Sequence, residues 1–184
     1  MVRIRGERHG KHDPTRYSAY VSLVLTAAIF GFFYAWVCST MWGLDAADPR
    51  VAIPAMQEMN ASVRSAVFFP AFFLTPIALA ITGVLAWRVA RRRAAALFLG
   101  AAAVYLVRGL VLTMTINVPM NEELAGVVVP ASVEAAQHIW DDYSGRWQTW
   151  NIVRTVCSGV SLILTAVGLA ALAVGRQNRT VGSR

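Results

Sequence analysis

The sequence predicts an all-α integral membrane protein, a four-helix bundle with short amphipathic helices in its two outer loops. Hydrophobic residues make up 57% of the 184-residue chain, charged residues only 15%, and the mean hydropathy is +0.50. Four apolar runs, at about 17–44, 66–87, 94–116 and 150–174, have the length of roughly 20 residues that a helix needs to cross a bilayer. None alternates with period 2, so transmembrane strands are not expected.

The basic residues predict the domain limits and the orientation. A basic tail of residues 1–16 precedes a single four-span domain at 17–175, and a second tail follows at 176–184. Arginines at 88 and 91–93 separate the second span from the third, whereas most acidic residues lie in the other two loops. The positive-inside rule therefore predicts that both termini are cytoplasmic. The net charge of +7 follows from this topology, and because no aromatic residues are interleaved with the basic ones, we do not expect nucleic-acid binding.

The first outer loop contains a helical pattern. Met56, Met59 and Val63 are spaced i, i+3 and i+7, as on the apolar face of a short amphipathic helix. Pro54 would suit the first turn of that helix. We expect the helix to lie on the membrane or to cap the bundle.

The third span ends in two amides around a proline. Asn117 could adopt a left-handed C-cap before Pro119, and Asn121 could cap a following helix, so the segment is expected to interrupt the helix at the membrane surface. The two amides could also donate and accept hydrogen bonds to a ligand. Capping and ligand recognition do not exclude each other.

Arg108 lies near the centre of the third span, where an arginine costs at least ~2.5 kcal/mol. No acidic residue occupies any of the four spans, so its partner would be a carbonyl, a hydroxyl, water or an anionic ligand. The cytoplasmic flank is too far for the side chain to reach. These observations favour a buried role.

The start of the fourth span combines arginine, tryptophan and asparagine. In a helix, Arg146, Trp150 and Arg154 share one face, while Trp147 and Asn151 lie on an adjoining face that also meets Arg154. This spacing predicts a polar and aromatic surface around Arg154. The aromatic residues could instead form an interfacial belt of Trp140, Tyr143 and Trp147.

The sequence contains few groups that bind cofactors. His138 is the only histidine outside the first tail, and its grouping with Asp141 and Asp142 is a weak indication of a metal site. A glycine-rich dinucleotide motif is missing. We therefore expect neither a metal nor an organic cofactor.

Together these motifs resemble a known family. The four spans, the pattern Asn117-x-Pro119-x-Asn121 and the pattern Arg146-Trp147-x-x-Trp150-Asn151-x-x-Arg154 are similar to the anthrone oxygenase family of small membrane proteins. The proline-bearing aromatic segment at 68–76 is similar to its pattern as well. The resemblance covers nearly all of the chain after residue 17.

The resemblance implies that an anthrone is oxidised to the anthraquinone by molecular oxygen, without a flavin, haem or metal, in polyketide or other secondary metabolism. It implies hydrogen-bonding and electrostatic roles in catalysis for Arg154, Asn117, Asn121 and Asn151. The expected substrate-binding residues are Trp147, Trp150, Arg146, Arg108 and Tyr143. His138, Glu122 and Asp142 are available as a general base, with His138 as the candidate, although nothing in the spacing selects one.

Two other functions remain open on the sequence alone. The bundle could catalyse another oxidation or rearrangement of a lipophilic small molecule, or it could be a non-enzymatic protein that binds or transports lipids or lipophiles. In each case the expected partners are a lipophilic aromatic molecule and the lipid bilayer. Abundant Ala, Val and Arg with a single lysine suggest a GC-rich genome, so we expect a bacterial plasma membrane.

Overall fold

The structure is a computed structural model that describes residues 13–181, and side chains as far as residue 173. Residues 1–12 of the predicted N-terminal tail and 182–184 of the C-terminal tail lie outside the described residues. Within 13–181 the chain is helical and contains no strand. The helices are α1 (Pro14–Asp45), α2 (Pro49–Ser62), α3 (Phe68–Arg88), α4 (Arg92–Ala125) and α5 (Val133–Val181).

Four of these helices, α1, α3, α4 and α5, are long and apolar enough to cross a membrane, which confirms the predicted fold class. Only 28% to 39% of the residues in their most apolar stretches are buried inside the bundle. The remainder direct large apolar side chains outwards, as a surface in contact with acyl chains requires. The architecture is consistent with an integral membrane protein.

A hydrogen bond between helices compensates for a proline in α3. Pro76 has no N–H, so the carbonyl of Phe72, four residues earlier, has no donor within its own helix. The buried hydroxyl of Tyr105 in α4 donates to that carbonyl at 3.0 Å. The two helices also approach closely at Gly83, because a Cβ there would lie 2.7 Å from Cγ of Leu99. Both features fix the position of α3 against α4.

Helix α4 does not break at Asn117, so the predicted interruption is wrong. Asn117 has φ −69° and ψ −37°, which is right-handed helix and not a left-handed C-cap. The chain instead passes through π-helical segments at Tyr105–Val111 and Thr113–Asn117 and continues as α-helix over Val118–Ala125. The short helix expected after Asn117 therefore exists, but it is the end of α4. Asn121 lies within this helix and does not cap it.

Helix α2 covers the end of α4. It begins at Pro49, so Pro54 lies inside the helix. The prediction that Pro54 is in the first turn is therefore wrong. Asp48 caps the helix, and hydrogen bonds from Arg50 lower the pKa of the Asp48 carboxyl to about 2. The side chain of Gln57 donates to the carbonyls of Leu124 and Val127 at 2.8 and 3.0 Å. The predicted amphipathic helix thus caps the bundle.

Helix α5 begins well before its membrane-spanning part and is joined to α1. The carboxylate of Asp45, the last residue of α1, accepts hydrogen bonds from three side chains one turn apart on α5. The donors are Trp140 Nε1 at 2.9 Å, Ser144 Oγ at 2.6 Å and Gln148 Nε2 at 2.9 Å. These hydrogen bonds therefore join α1 to α5 at the end of the bundle that carries α2.

Candidate functional site

A cavity of about 280 Å³ lies between α1, α3, α4 and α5. Its mouth is at the α2 end, where exposed Arg64 and Glu122 face each other with 3.5 Å between Nη2 and Oε1. Eight of its lining residues are aromatic. They are Phe32, Phe33, Trp36, Phe68, Phe69, Phe72, Phe73 and Trp147.

The start of α3 supplies half of this aromatic lining. Phe68 and Phe72 are one helical turn apart, and their rings stack with centroids at 5.5 Å. The ring of Phe32 in α1 lies 4.5 Å from that of Phe68, so the contacts continue between helices. Rings packed in this way form a rigid apolar wall suited to a flat ligand.

The guanidinium of Arg154 is buried next to this wall. Its central carbon lies 4.4 Å from the ring centroid of Phe33 and 5.0 Å from that of Trp147. Its Nε donates to Oδ1 of Asn151 at 2.9 Å, and Nδ2 of Asn151 donates to the carbonyl of Phe33 at 3.3 Å. Asn151 therefore fixes the rotation of the guanidinium relative to α1.

No charge on the described part of the protein neutralises Arg154. The side chain is only 5% exposed and lines the cavity, and none of the carboxylates in residues 13–173 forms an ion pair with it. Its two terminal nitrogens have no hydrogen-bond partner among those residues. A buried cation without a counter-ion is costly, so this arrangement favours an anionic group in the cavity.

Asn121 provides a second donor to the same cavity. Its Oδ1 accepts hydrogen bonds from Trp147 Nε1 at 2.8 Å and from the hydroxyl of Tyr143 at 2.9 Å. An indole N–H only donates, so the amide must turn its oxygen towards Trp147. Nδ2 of Asn121 is left without a partner among the described residues, and Asn121 lines the cavity. Asn60 donates to the Tyr143 hydroxyl at 3.3 Å and completes the network.

This geometry allows one kind of binding in particular. A flat aromatic molecule can lie against the phenylalanine rings while its oxygen atoms face Arg154 and Asn121, which both line the cavity. Because the surroundings are apolar, the attraction between the guanidinium and a negative oxygen is stronger than in water. The site can therefore stabilise an aromatic oxyanion.

Apart from Asn151, two predicted site residues lie near the cavity but not on its wall. Asn117 is fully buried, and neither its Oδ1 nor its Nδ2 has a hydrogen-bond partner among the described residues. Trp150 is half-buried and packs against the aromatic cluster at the α2 end. The donor and stacking roles expected of these two side chains remain predictions.

Three other predicted residues lie elsewhere. Arg108 is exposed rather than buried as expected, because it shares the outward face of α4 with Leu106 and Val107. His138 is also exposed and does not line the cavity. Arg146 is exposed and borders a separate groove of about 410 Å³, which Tyr143, one turn away on the same helix, also lines.

Sequence reasoning missed the contribution of α1 and of the mouth. Phe33, Trp36, Asn60 and Arg64 line the cavity, although no local motif marks them. The phenylalanine run at 68–73 enters the sequence prediction only through the family resemblance. Its spacing of i, i+1, i+4 and i+5 could have indicated an aromatic face on a helix.

Comparison with known families decides the assignment. A family model described as anthrone oxygenase matches residues 59–164, more than half of the chain. The chain belongs to the anthrone oxygenase family. The match contains Arg146, Arg154 and the three predicted amides at 117, 121 and 151, whereas α1 lies outside it.

The remaining comparisons found no individual relative of this anthrone oxygenase family member. No curated protein and no solved structure matches the chain. Across the described residues, no three His, Cys, Asp or Glu side chains lie close enough together to hold a metal ion.

Proposed function

We propose that this protein is a membrane-bound oxygenase that converts an enolisable polycyclic aromatic ketone of the anthrone class to the quinone with molecular oxygen. The observation that carries the proposal is the buried guanidinium of Arg154, which has no carboxylate partner among residues 13–173. It lines an aromatic cavity that the free amide donor of Asn121 also lines. A neutral ketone would leave that charge unbalanced. An enolate would balance it.

The chemistry requires the protein to bind the substrate and to stabilise its anion. Loss of one proton from the ring methylene leaves an electron pair that is delocalised onto the ketone oxygen. Arg154 and Asn121 stabilise this oxyanion, and the apolar wall keeps bulk water away. The electron-rich enolate then reduces oxygen, so that one anthrone and one O₂ give one anthraquinone and one water. The substrate supplies the electrons, and we propose that no flavin, haem or metal takes part.

The proposed setting is the plasma membrane of a bacterium, with both termini in the cytoplasm. Arginines at both ends of the α3–α4 turn and their scarcity at the α2 end support this orientation. The cavity would then open towards the outer leaflet. A substrate of this class is lipophilic and would reach the mouth from the bilayer, and it would come from aromatic polyketide metabolism.

The proposal can be tested with the purified protein in lipid nanodiscs. Anthrone is added, and oxygen uptake and quinone absorbance are recorded together. We expect protein-dependent formation of one quinone for each O₂ consumed, unchanged after dialysis against a chelator. Nanodiscs without protein measure the spontaneous oxidation.

Three results would separate the alternatives. Loss of activity after chelation would contradict the absence of a metal but not the oxygenase. Tight binding of anthrone without oxygen uptake would support a non-enzymatic lipophile-binding protein, since the same unpaired guanidinium could hold an anion without turning it over. If the protein neither binds anthrone nor turns it over, the proposed substrate class is refuted.

A further inference from the structure

We propose that Glu122 is the base that removes the methylene proton of the substrate, an assignment that rests on the proposed function. Among the described residues that line the cavity, Glu122 is the only one with a carboxylate. It follows Asn121 directly in α4, so the proton acceptor and one oxyanion donor come from the same helical turn.

The position of Glu122 suits a base that must be regenerated. Its side chain is 61% exposed at the cavity mouth, and only its Oε1 contacts Arg64, at 3.5 Å. Its Oε2 has no hydrogen-bond partner among the described residues. One carboxylate oxygen is therefore held across the mouth while the other is free to take a proton and to release it to water.

The structure separates Glu122 from the other available bases. His138 is exposed on α5 and does not line the cavity, so the candidate favoured by sequence is replaced here. Asp142 borders the neighbouring groove beyond Tyr143, and so does Glu123. Adjacent residues of one helix thus point to different cavities, which provides a matched control.

The proton transfer to Glu122 breaks one bond and forms one. The C–H bond of the ring methylene breaks, the proton goes to a carboxylate oxygen of Glu122, and the electron pair is delocalised onto the ketone oxygen on the far side of the ring. That oxygen is the atom assigned to Arg154 and Asn121. The base and the oxyanion donors therefore act on opposite sides of the central ring, and O₂ is needed only after this step.

The step can be measured by itself without oxygen. Anthrone is incubated anaerobically in D₂O with the protein in nanodiscs, and incorporation of deuterium at the methylene carbon is followed by mass spectrometry. A positioned general base contributes about 10²- to 10⁴-fold. We expect Glu122→Gln to lower protein-dependent exchange and oxygen uptake together by about 100-fold or more. Glu123→Gln should stay within about twofold of the wild type, since that carboxylate is outside the cavity.

A second variant guards against a folding defect. Glu122→Ala should be inactive alone and should regain exchange when acetate is added, because the removed side chain leaves space at an open mouth. Exchange at the wild-type rate in Glu122→Gln would overturn the inference while leaving the oxygenase proposal intact. An absence of acetate rescue in a folded Glu122→Ala protein would also overturn it. A wild-type protein that neither exchanges nor consumes oxygen would instead refute the proposed function itself.

Discussion

Replacing Arg154 with methionine removes the positive charge but retains an unbranched side chain that can fill the same space. If the guanidinium stabilises the enolate, the variant loses a preorganised oxyanion donor. Such losses cost about 2.7–4 kcal/mol, which is a decrease of about 10²- to 10³-fold in kcat. The variant should still bind the neutral ketone, because the aromatic wall is unchanged.

The stability of the same variant should change little, because opposing terms nearly cancel. The substitution removes one charge-assisted hydrogen bond to Asn151, worth about 1.5–3 kcal/mol, and two ring contacts worth about 0.5–2 kcal/mol each. It also removes the desolvation penalty of a buried charge, which is several kcal/mol. We expect a net change within ~2 kcal/mol, or a shift in Tm of at most ~8 °C for a protein of this size.

The assay measures kcat from oxygen uptake at saturating anthrone and Tm from the loss of helical circular dichroism on heating. Arg93→Met is the control, since Arg93 is exposed at the opposite end of the bundle and should keep wild-type kcat. A kcat for Arg154→Met within threefold of the wild type would refute the electrostatic role. Loss of activity together with a fall in Tm well beyond 8 °C would show that Arg154 acts through folding instead.

Three further predictions concern the hydrogen bonds of Tyr143 and Tyr105 and the unpaired amide of Asn117. Tyr143→Phe removes one of two hydrogen bonds that orient the amide donor of the cavity, and we expect kcat to fall about tenfold with Tm nearly unchanged; wild-type kcat would contradict this role. Tyr105→Phe leaves the carbonyl of Phe72 without a donor and should lower the free energy of unfolding by about 1–3 kcal/mol. Adding Pro76→Ala restores a backbone N–H and should recover part of that loss. If the two changes destabilise the protein additively, the Tyr105 hydroxyl does not compensate for Pro76. Asn117→Leu removes two buried polar atoms that have no partner among the described residues, and it should raise the free energy of unfolding by about 1–3 kcal/mol. A decrease in the urea-denaturation midpoint would indicate that the amide has a partner in the membrane.

The fold could be predicted from composition because the bilayer restricts what a chain can do. A segment that crosses lipid must satisfy every backbone group internally, so four long apolar runs can only be four helices. The basic residues that flank the spans also predict the orientation of the bundle in the membrane, which stays a prediction. The helix break predicted at Asn117 does not occur, because a proline in the first turn of an α-helical segment does not need an N–H donor. The π-helical segment before it lets the chain continue into that turn.

The site was predictable where it depends on one helix. Trp147, Asn151 and Arg154 are spaced so that they must be neighbours on α5. In the structure Arg154 contacts both Asn151 and the ring of Trp147. Arg108 illustrates the opposite case, since hydropathy gives its depth in the span but not the face on which it lies. The contribution of Phe33 depends on how α1 packs against α5, and no local pattern encodes that packing.

The π-helical segments of α4 make its length matter as much as its composition. A π turn holds one residue more than an α turn, and each extra residue rotates everything after it by about 100°. The lower half of α4 buries Phe98 and Ala101 in the bundle core, while Asn121 and Glu122 reach the cavity from beyond two such segments. Deleting one residue between 105 and 117 would leave every functional side chain present yet turn Asn121 and Glu122 off the cavity wall. The face that α4 turns to the cavity is thus set by the number of residues between the core and the mouth.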